Sequence, residues 1–323
     1  MGGLESDMTS ENEISLENIG FYTLSDKRAM NSSYKSPLWR CELLLTNRCN
    51  FRCPYCRHLS NIADLPFENA KVIVEYWISE GLKNIRFSGG EPTLYLRLQD
   101  LVEIAALGHV ERIAISTNGS QTSGYYRRLI DCGVNDFSIS LDACCASTGD
   151  IMAGKNGAWE NVIRNIELLS SLTYVTVGIV INENNEHEAV KTIELAHSLG
   201  VADIRVIPSA QYNKYLDLDI SRHILDAHPI LKYRLANNRH IRGLRDSDTN
   251  KCRLVLDDMA VWNNEHYPCI IYLREGGKPI GKIGENTRTE RLLWYENHDS
   301  FKDKICRENC LDVCREYNNK GAL

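Results

Sequence analysis

Short runs rich in β-branched and aliphatic residues alternate with longer stretches of helical spacing from residue 39 to residue 208. A chain with this alternation places its strands in parallel, because each helical stretch returns the chain to the same end of the sheet. The pattern therefore predicts the α/β fold class. Strands are predicted at residues 41–46, 84–88, 112–117, 136–141, 174–181 and 203–208. Helices are predicted at residues 68–81, 98–107, 123–132, 159–171 and 186–199.

Six strand units are too few for a closed eight-stranded barrel, so we expect a partial (β/α)6 TIM-like barrel or an open sheet. In both, functional residues lie at the carboxyl ends of the strands. The alternation ends near residue 215. Beyond it we expect a hairpin that turns at Asn263 and Asn264, followed by helix. The predicted parts are a flexible N-terminal segment (1–38), the barrel core (39–215), and a linker with a smaller C-terminal α+β cysteine-rich extension (216–323).

The sequence contains no run of about 18 apolar residues, so no membrane span is expected. Its first 18 residues lack the charged start and apolar stretch of a signal peptide, which favours a cytoplasmic protein. A reducing compartment disfavours structural disulfides, so the 12 cysteines predict metal binding where they cluster. The unclustered Cys41 and Cys132 are expected to pack as small apolar residues.

The charge of the chain is uneven. A formal net charge of −6 argues against bulk attraction to nucleic acid. Residues 222–253 nevertheless contain eight Lys and Arg against three Asp and Glu. Arg239, Arg242 and Arg245 in this stretch are candidates to bind a carboxylate or phosphate of a substrate, since guanidinium groups suit both. The alternative is a solvated helical face.

Three cysteines follow the first predicted strand within the segment CNFRCPYC, which has the spacing C-x3-C-x2-C. A zinc site on Cys49, Cys53 and Cys56 needs a fourth ligand, which His58 offers. Three cysteines without a fourth favour instead a [4Fe–4S] cluster with one open iron.

The segment CNFRCPYC, together with FSGGEP at the end of the second predicted strand, resembles the radical S-adenosylmethionine (SAM) superfamily. The resemblance covers residues 39–213, and DIMAGKNGAW at 150–159 is also similar to a loop of that superfamily. It implies that Cys49, Cys53 and Cys56 hold a [4Fe–4S] cluster and that SAM binds its fourth iron. It also implies that Glu91 lies near the methionine ammonium of SAM. The implied cofactor-binding residues are Tyr55, Gly89, Gly90, Glu91, Ser116, Asn118, Ser140 and Asp142. For Ser140, Asp142 and Asn118, ordinary capping and turn chemistry is the alternative explanation.

Five further cysteines lie beyond residue 250: Cys252, Cys269, Cys306, Cys310 and Cys314. They resemble the twitch and SPASM extensions of radical SAM enzymes, although the full SPASM pattern has seven cysteines. The resemblance implies one auxiliary [4Fe–4S] cluster on four of the five. A zinc site is the alternative.

The function implied is that of a radical SAM enzyme, which reductively cleaves SAM to a 5′-deoxyadenosyl radical and so isomerises, rearranges or oxidises a substrate. We expect a polar, anionic small-molecule or nucleoside-like substrate, and a reducing partner such as flavodoxin or ferredoxin. The alternatives are modification of a base in nucleic acid and maturation of a ribosomally made peptide. An iron–sulfur electron carrier is a further alternative, but it leaves FSGGEP unexplained.

Cys144 follows the fourth predicted strand within the segment DACCA. Its thiol is a candidate donor of a hydrogen atom to a substrate radical. The alternative is that these small residues only turn a loop.

Overall fold

The structure, a computed structural model, describes residues 14–57, 63–236 and 240–321. It contains the strands β1 Arg40–Thr46, β2 Asn84–Gly89, β3 Arg112–Thr117, β4 Asp136–Ser140, β5 Tyr174–Ile181, β6 Asp203–Pro208, β7 Asp258–Trp262, β8 Glu265–Tyr267 and β9 Gly281–Lys282. They form one sheet in the order β6-β5-β4-β3-β2-β1-β7-β8-β9. Strands β1 to β7 pair in parallel, whereas β8 and β9 are antiparallel. The predicted α/β fold with a partial barrel is confirmed, and each of the first six strands lies within one residue of its predicted bounds.

The crossover helices cover the outer face of this sheet, and the others lie before β1 or after β6. The helices are α1 Asp26–Asn31, α2 Phe67–Ser79, α3 Leu98–Leu107, α4 Ser123–Cys132, α5 Ala146–Ala153, α6 Ala158–Ser170, α7 Ala189–Ser198, α8 Arg222–Ala227, α9 Pro229–Leu235, α10 Ile270–Arg274, α11 Thr287–Asn297, α12 Lys304–Asn309 and α13 Asp312–Lys320. Among the described residues, none of these helices has the length and apolar character needed to cross a membrane.

The two faces of the barrel sheet differ sharply in polarity. On β1, Cys41, Leu43 and Leu45 are fully buried in the core formed with the outer helices, which confirms the packing predicted for Cys41. Cys132 also packs against this core, although it is only half-buried. Because successive side chains of a strand alternate between faces, Arg40 and Glu42 point to the concave side. That side encloses a cavity of about 510 Å³.

The C-terminal part of the chain extends the barrel sheet. The predicted hairpin is present as β7 and β8, and it turns at Asn263 and Asn264, whose φ values of 51° and 66° suit a tight two-residue turn. Strand β7 pairs in parallel with β1, which places Asp258 opposite Arg40. The Arg40 Nε donates to the Asp258 carboxylate at 2.9 Å. The hairpin thus joins the barrel by a parallel pairing that the sequence did not predict. The domain boundary at residue 215 stays a prediction.

The expectation of a flexible segment over residues 1–38 is wrong for residues 14–38, while residues 1–13 lie outside the described residues. A short 3-10 turn at Leu16–Ile19 buries Leu16 and Ile19 completely, and helix α1 buries Ala29. These side chains form a second apolar cluster with residues from the C-terminal region, namely Tyr233, Leu254, Val313 and Tyr317.

The same N-terminal segment closes the floor of the barrel. The Tyr22 hydroxyl donates a hydrogen bond to Asp136 at the start of β4. The Arg112 guanidinium lies 3.8 Å from the centre of the Tyr22 ring, and the ring of Tyr174 meets it edge-on. These residues stand at the amino ends of β3, β4 and β5, so the segment covers the cavity on the side opposite the cysteine loop.

The buried N-terminal segment predicts a stability effect. Leu16→Ala is expected to lower the free energy of unfolding by about 2–5 kcal/mol, because the fully buried side chain leaves a cavity. Met30→Ala is the control, since Met30 is 53% exposed and its loss should change stability by no more than about 0.5 kcal/mol. Urea unfolding followed by circular dichroism measures both. Equal effects of the two substitutions would contradict the packing of this segment.

Candidate functional site

The three cysteines of CNFRCPYC lie on the loop that follows β1 at its carboxyl end. Cys49 and Cys53 are half-buried against the main core, and Cys56 is exposed. The loop is fastened by its backbone, since the Arg52 N–H donates to the Ala153 carbonyl at 2.8 Å. Burial, the nearby Asp142 and Cys56 raise the pKa of Cys53 to about 12, so a thiolate here needs a cationic partner. A metal group bound by this loop would meet that need.

Two glycines let the end of β2 pack directly against this loop. A Cβ added to Gly90 would lie 2.3 Å from the carbonyl oxygen of Arg48, the residue that precedes Cys49. A Cβ on Gly89, whose φ is 150°, would lie 2.1 Å from the Thr46 carbonyl oxygen. The contact is completed by the N–H of Glu91, which donates to the Arg48 carbonyl at 2.8 Å. Only glycine permits this approach of two backbones.

Glu91 does not take the position that the resemblance implied. It is fully buried and is not among the residues that line the cavity. Its Oε1 accepts hydrogen bonds from the backbone and hydroxyl of Thr93 and from the Thr117 hydroxyl at 2.8 Å, and its Oε2 accepts one from the Asn118 N–H at 2.7 Å. Burial raises the pKa of Glu91, while these hydrogen bonds lower it. The expected contact with an ammonium is therefore replaced by a positioning role for the turn after β3.

That turn reaches the cysteine loop. The Asn118 side-chain amide donates to Asn50 Oδ1 at 2.9 Å and lies 3.7 Å from the Cys49 sulfur. Glu91 thus acts on the cysteine loop through Asn118.

The end of β4 is joined to the same loop by a buried carboxylate. Asp142 Oδ1 accepts a hydrogen bond from the Val180 N–H at 2.7 Å, and its Oδ2 accepts one from the Tyr55 hydroxyl. Burial raises the pKa of Asp142 to about 6. Ser140 is exposed towards the cavity, and Ser116 accepts a hydrogen bond from Arg86 at 3.0 Å.

Most of the predicted cofactor and cluster residues converge on one cavity. Those in its lining are Cys49, Cys53, Tyr55, Cys56, Gly89, Gly90, Ser116, Asn118, Ser140 and Asp142. Cys144 is not in the lining, and its thiol instead donates to Glu188 at 2.8 Å. The geometry therefore gives no support to Cys144 as a hydrogen-atom donor.

The structure places Arg242 and Arg245, two of the three predicted arginines, in different environments. Arg242 lines the cavity, is 8% exposed, and has an Nη1 without a hydrogen-bond partner. Its Nε donates to the Pro208 carbonyl at 3.0 Å. Arg245 is exposed and does not line the cavity, which corrects the expectation for that residue. Arg239 and the possible zinc ligand His58 lie outside the described residues.

Among the cavity arginines that the sequence analysis missed are Arg86 and Arg205, although each stands within a predicted strand as an isolated charge between apolar residues. Arg86 on β2 has Asp136 at 3.9 Å. Arg205 on β6 donates to the Ser138 hydroxyl, and no carboxylate of the described residues forms an ion pair with it. Burial, together with the positive charges of Arg86 and Arg234, lowers the pKa of Arg205 to about 10.

The five C-terminal cysteines gather on the other side of the cavity, and Cys269 and Cys314 belong to its lining. Burial and the neighbouring thiols raise the pKa of Cys252 and Cys269 to about 12, and raise that of Cys310, which lies near the other four. Thiolates in such a group need a cation, as in the loop after β1.

The spacing of the sulfurs tests which metal group would fit. Among the described residues, no three of the eight cysteines assigned to the two sites have sulfur atoms that all lie within 4.8 Å of one another. A tetrahedral zinc site with Zn–S distances of about 2.3 Å places its sulfurs about 3.8 Å apart. The wider spacing suits a cluster of several metal ions better than a single ion. Cys306 also lies close to two other ligand side chains: its sulfur is 3.5 Å from the His298 Nε2, and ligand atoms of Cys306, His298 and Asp303 all lie within 4.8 Å of one another.

Comparison with known proteins agrees with this site. Residues 43–196 match the model of the radical SAM superfamily, and this part of the chain is a radical SAM domain. The GTP 3′,8-cyclase of Staphylococcus saprophyticus is 28% identical over 57% of this chain and 53% of its own length. The AdoMet-dependent heme synthase of Methanosarcina barkeri is 32% identical over 50% of this chain and 48% of its own length. The chain thus spans about half the length of these two relatives.

Solved structures share the fold. The structure of anSMEcpe with bound AdoMet covers 88% of this chain and 91% of its own, with a TM-score of 0.59 at 16% identity. Streptococcus suis SuiB bound to S-adenosylmethionine covers 81% of this chain and 66% of its own, with a TM-score of 0.58 at 14% identity.

The glycine contact predicts how the cysteine loop can be disrupted. Gly90→Ala places a methyl group against the Arg48 carbonyl and should displace the loop, so iron bound by Cys49, Cys53 and Cys56 is lost. Gly124→Ala is the control, because its new Cβ would meet only the end of the Arg128 side chain at 3.8 Å. Iron content after anaerobic reconstitution measures both variants. Full iron retention by Gly90→Ala would show that the backbone contact does not hold the loop.

Proposed function

We propose that this chain is a radical SAM enzyme that modifies a polar, anionic small molecule or nucleoside-like group by isomerisation, rearrangement or oxidation. The observation that carries the proposal is one cavity lined both by the three-cysteine loop and by the arginines Arg205 and Arg242. A [4Fe–4S] cluster on Cys49, Cys53 and Cys56 with bound SAM would supply reductive SAM cleavage and a radical that abstracts hydrogen from a substrate carbon. An external one-electron donor such as flavodoxin or ferredoxin is needed to reduce it.

The anionic character of the substrate follows from the electrostatics of the cavity. A buried guanidinium without a carboxylate partner is costly, and a carboxylate or phosphate that enters the cavity would remove this cost. Arg205 lacks an ion-pair partner among the described residues, and the Nη1 of Arg242 lacks a hydrogen-bond acceptor. Two such groups in one cavity favour a substrate that presents a negative charge.

The name of one relative is compatible with a small, charged substrate. The name of the Staphylococcus saprophyticus relative specifies GTP, a nucleotide with three phosphate groups. That substrate is not carried over to this chain, because the match spans only about half of the relative. The shared chemistry that we propose is recognition of an anionic group by cavity arginines.

The C-terminal thiols provide the place for a second metal group. We propose that four of Cys252, Cys269, Cys306, Cys310 and Cys314 bind an auxiliary [4Fe–4S] cluster. Its position beside the cavity, where Cys269 and Cys314 line the wall, suits an acceptor for an electron from the substrate. An oxidation would use that acceptor, whereas an isomerisation would not.

The two-cluster proposal predicts the iron content. Anaerobically reconstituted protein should hold about eight irons per chain, and the triple variant of Cys49, Cys53 and Cys56 to Ala should hold about four. The matched control, Cys132→Ser, removes a thiol outside both groups and should keep about eight irons. A triple variant without iron, or wild-type protein with zinc on the C-terminal thiols, would contradict the proposal.

The anionic-substrate proposal predicts which arginine substitutions weaken stimulation of SAM cleavage by an anionic compound. 5′-Deoxyadenosine release is measured while phosphate- and carboxylate-bearing small molecules, with GTP first, are compared with neutral analogues. Anionic compounds should stimulate release. Arg242→Gln and Arg205→Gln should each raise the concentration of the anionic compound that gives half-maximal stimulation at least tenfold, because each substitution removes a charged hydrogen bond. Unstimulated SAM cleavage reports whether the cofactor site is intact.

Arg245→Gln is the matched control, because Arg245 is exposed outside the cavity, and its variant should behave as wild type. Stimulation by neutral compounds, by a peptide or by nucleic acid alone, or unchanged stimulation in both cavity variants, would overturn the anionic small-molecule assignment.

A further inference from the structure

Three metal-ligand side chains lie together outside the cavity just described. Cys144 and Cys145 follow β4, and Glu188 directly precedes α7. One ligand atom from each of the three lies within 4.8 Å of the other two. Glu188 Oε2 lies 2.8 Å from the Cys144 sulfur and 3.6 Å from the Cys145 sulfur.

The fold brings these residues together and holds them in place. Strands β4 and β5 are parallel neighbours, so the segments that follow them lie side by side. The Asn185 side-chain amide donates to the carbonyls of Asp142 and Val180, both at 2.8 Å, and so ties the two segments to each other. The Trp159 indole donates to the Ala143 carbonyl at 2.9 Å. The ligand positions are therefore fixed before any ion binds.

The Glu188 carboxylate of this group lacks one of its hydrogen bonds. Glu188 is 7% exposed, and its Oε1 has no hydrogen-bond partner. Its other oxygen accepts hydrogen bonds from the two thiols, which are weak donors, and the Thr148 hydroxyl also stabilises the carboxylate. A buried carboxylate left in this state is unfavourable, and a cation among the three side chains would correct it.

We propose that Cys144, Cys145 and Glu188 bind one zinc ion, with water in the fourth position. Two thiolates and one carboxylate suit zinc, whereas magnesium and calcium prefer oxygen ligands alone. The spacing here is that of a single ion, whereas no three of the eight cysteines of the two proposed cluster sites come this close among the described residues. Binding releases the two thiol protons, so a doubly charged ion meets three negative ligands.

Zinc at this position has a structural consequence. It would link the segment after β4 to the start of α7. Cys144 is only two residues from Asp142, which contacts Tyr55 on the cysteine loop. A metal-bound thiolate carries no S–H hydrogen, so this site and a hydrogen-donor role for Cys144 exclude each other.

The test is the zinc and iron content of the full chain, purified without oxygen, loaded with zinc and dialysed against a weak chelator. Wild-type protein should keep about one zinc per chain beside its iron. The double variant Cys144→Ser and Cys145→Ser, and separately Glu188→Gln, should lose zinc at least tenfold without loss of iron. Cys132→Ser is the matched control, because Cys132 also places its thiol against a glutamate, Glu103 at 3.4 Å, but has no second thiol.

X-ray absorption at the zinc edge of the wild-type protein locates the ion independently of any variant. Two sulfur neighbours at about 2.3 Å and two oxygen neighbours at about 2.0–2.2 Å are expected. A first shell of three or four sulfurs would place the zinc on other cysteines and overturn the proposal. Zinc-free wild-type protein after loading, or full zinc retention in the double variant, would overturn it as well. Neither result bears on the iron or on SAM cleavage, so the proposed function is tested separately.

Discussion

The close contact between the glycine end of β2 and the backbone of the cysteine loop is the constraint on which the site depends. The Gly90 Cα takes a place next to the Arg48 carbonyl that no larger residue can occupy. This contact positions Glu91, and the buried Glu91 carboxylate accepts hydrogen bonds from the turn after β3. Asn118 on that turn in turn contacts the loop near Cys49. One steric condition thus fixes the relative positions of the ends of three neighbouring strands.

The polar interior of this barrel contributes less to stability than an apolar interior would. Filled barrels of this class carry branched aliphatic side chains on the inner face. Here that face carries ion pairs such as Arg40 with Asp258, and it includes Arg205, which has no ion pair among the described residues. Buried charges of this kind add little to stability, or reduce it. Their presence around one cavity is better explained by what the cavity binds, while the apolar outer face and the N-terminal segment supply the packing.

The clustered cysteines occupy three environments that differ in spacing rather than in residue type. Those of the loop after β1 and of the C-terminal region are half-buried or exposed, and among the described residues no three of their sulfurs lie within 4.8 Å of one another, which suits a large metal group better than one ion. Cys144 and Cys145 lie close to each other and to Glu188, which suits one ion. Burial raises the pKa of most of these thiols, and the exception is Cys145, whose pKa is lowered by a hydrogen bond with Ser147. The ligand geometry, not the number of cysteines, therefore distinguishes the sites.

The sequence alone determined the strands, the crossover helices and the convergence of the cysteine loop and FSGGEP on one edge of the sheet. These features depend on local periodicity and on the rule that parallel strands share their carboxyl ends. The burial of residues 14–38, the pairing of β7 with β1 and the inward position of Arg205 were decided only by the tertiary structure. Each of them depends on partners distant in the sequence, as Tyr22 with Asp136 and Arg40 with Asp258 illustrate. The role of Glu91 was also decided there, because a motif specifies which residue is present, whereas the surrounding hydrogen-bond donors specify what its carboxylate contacts.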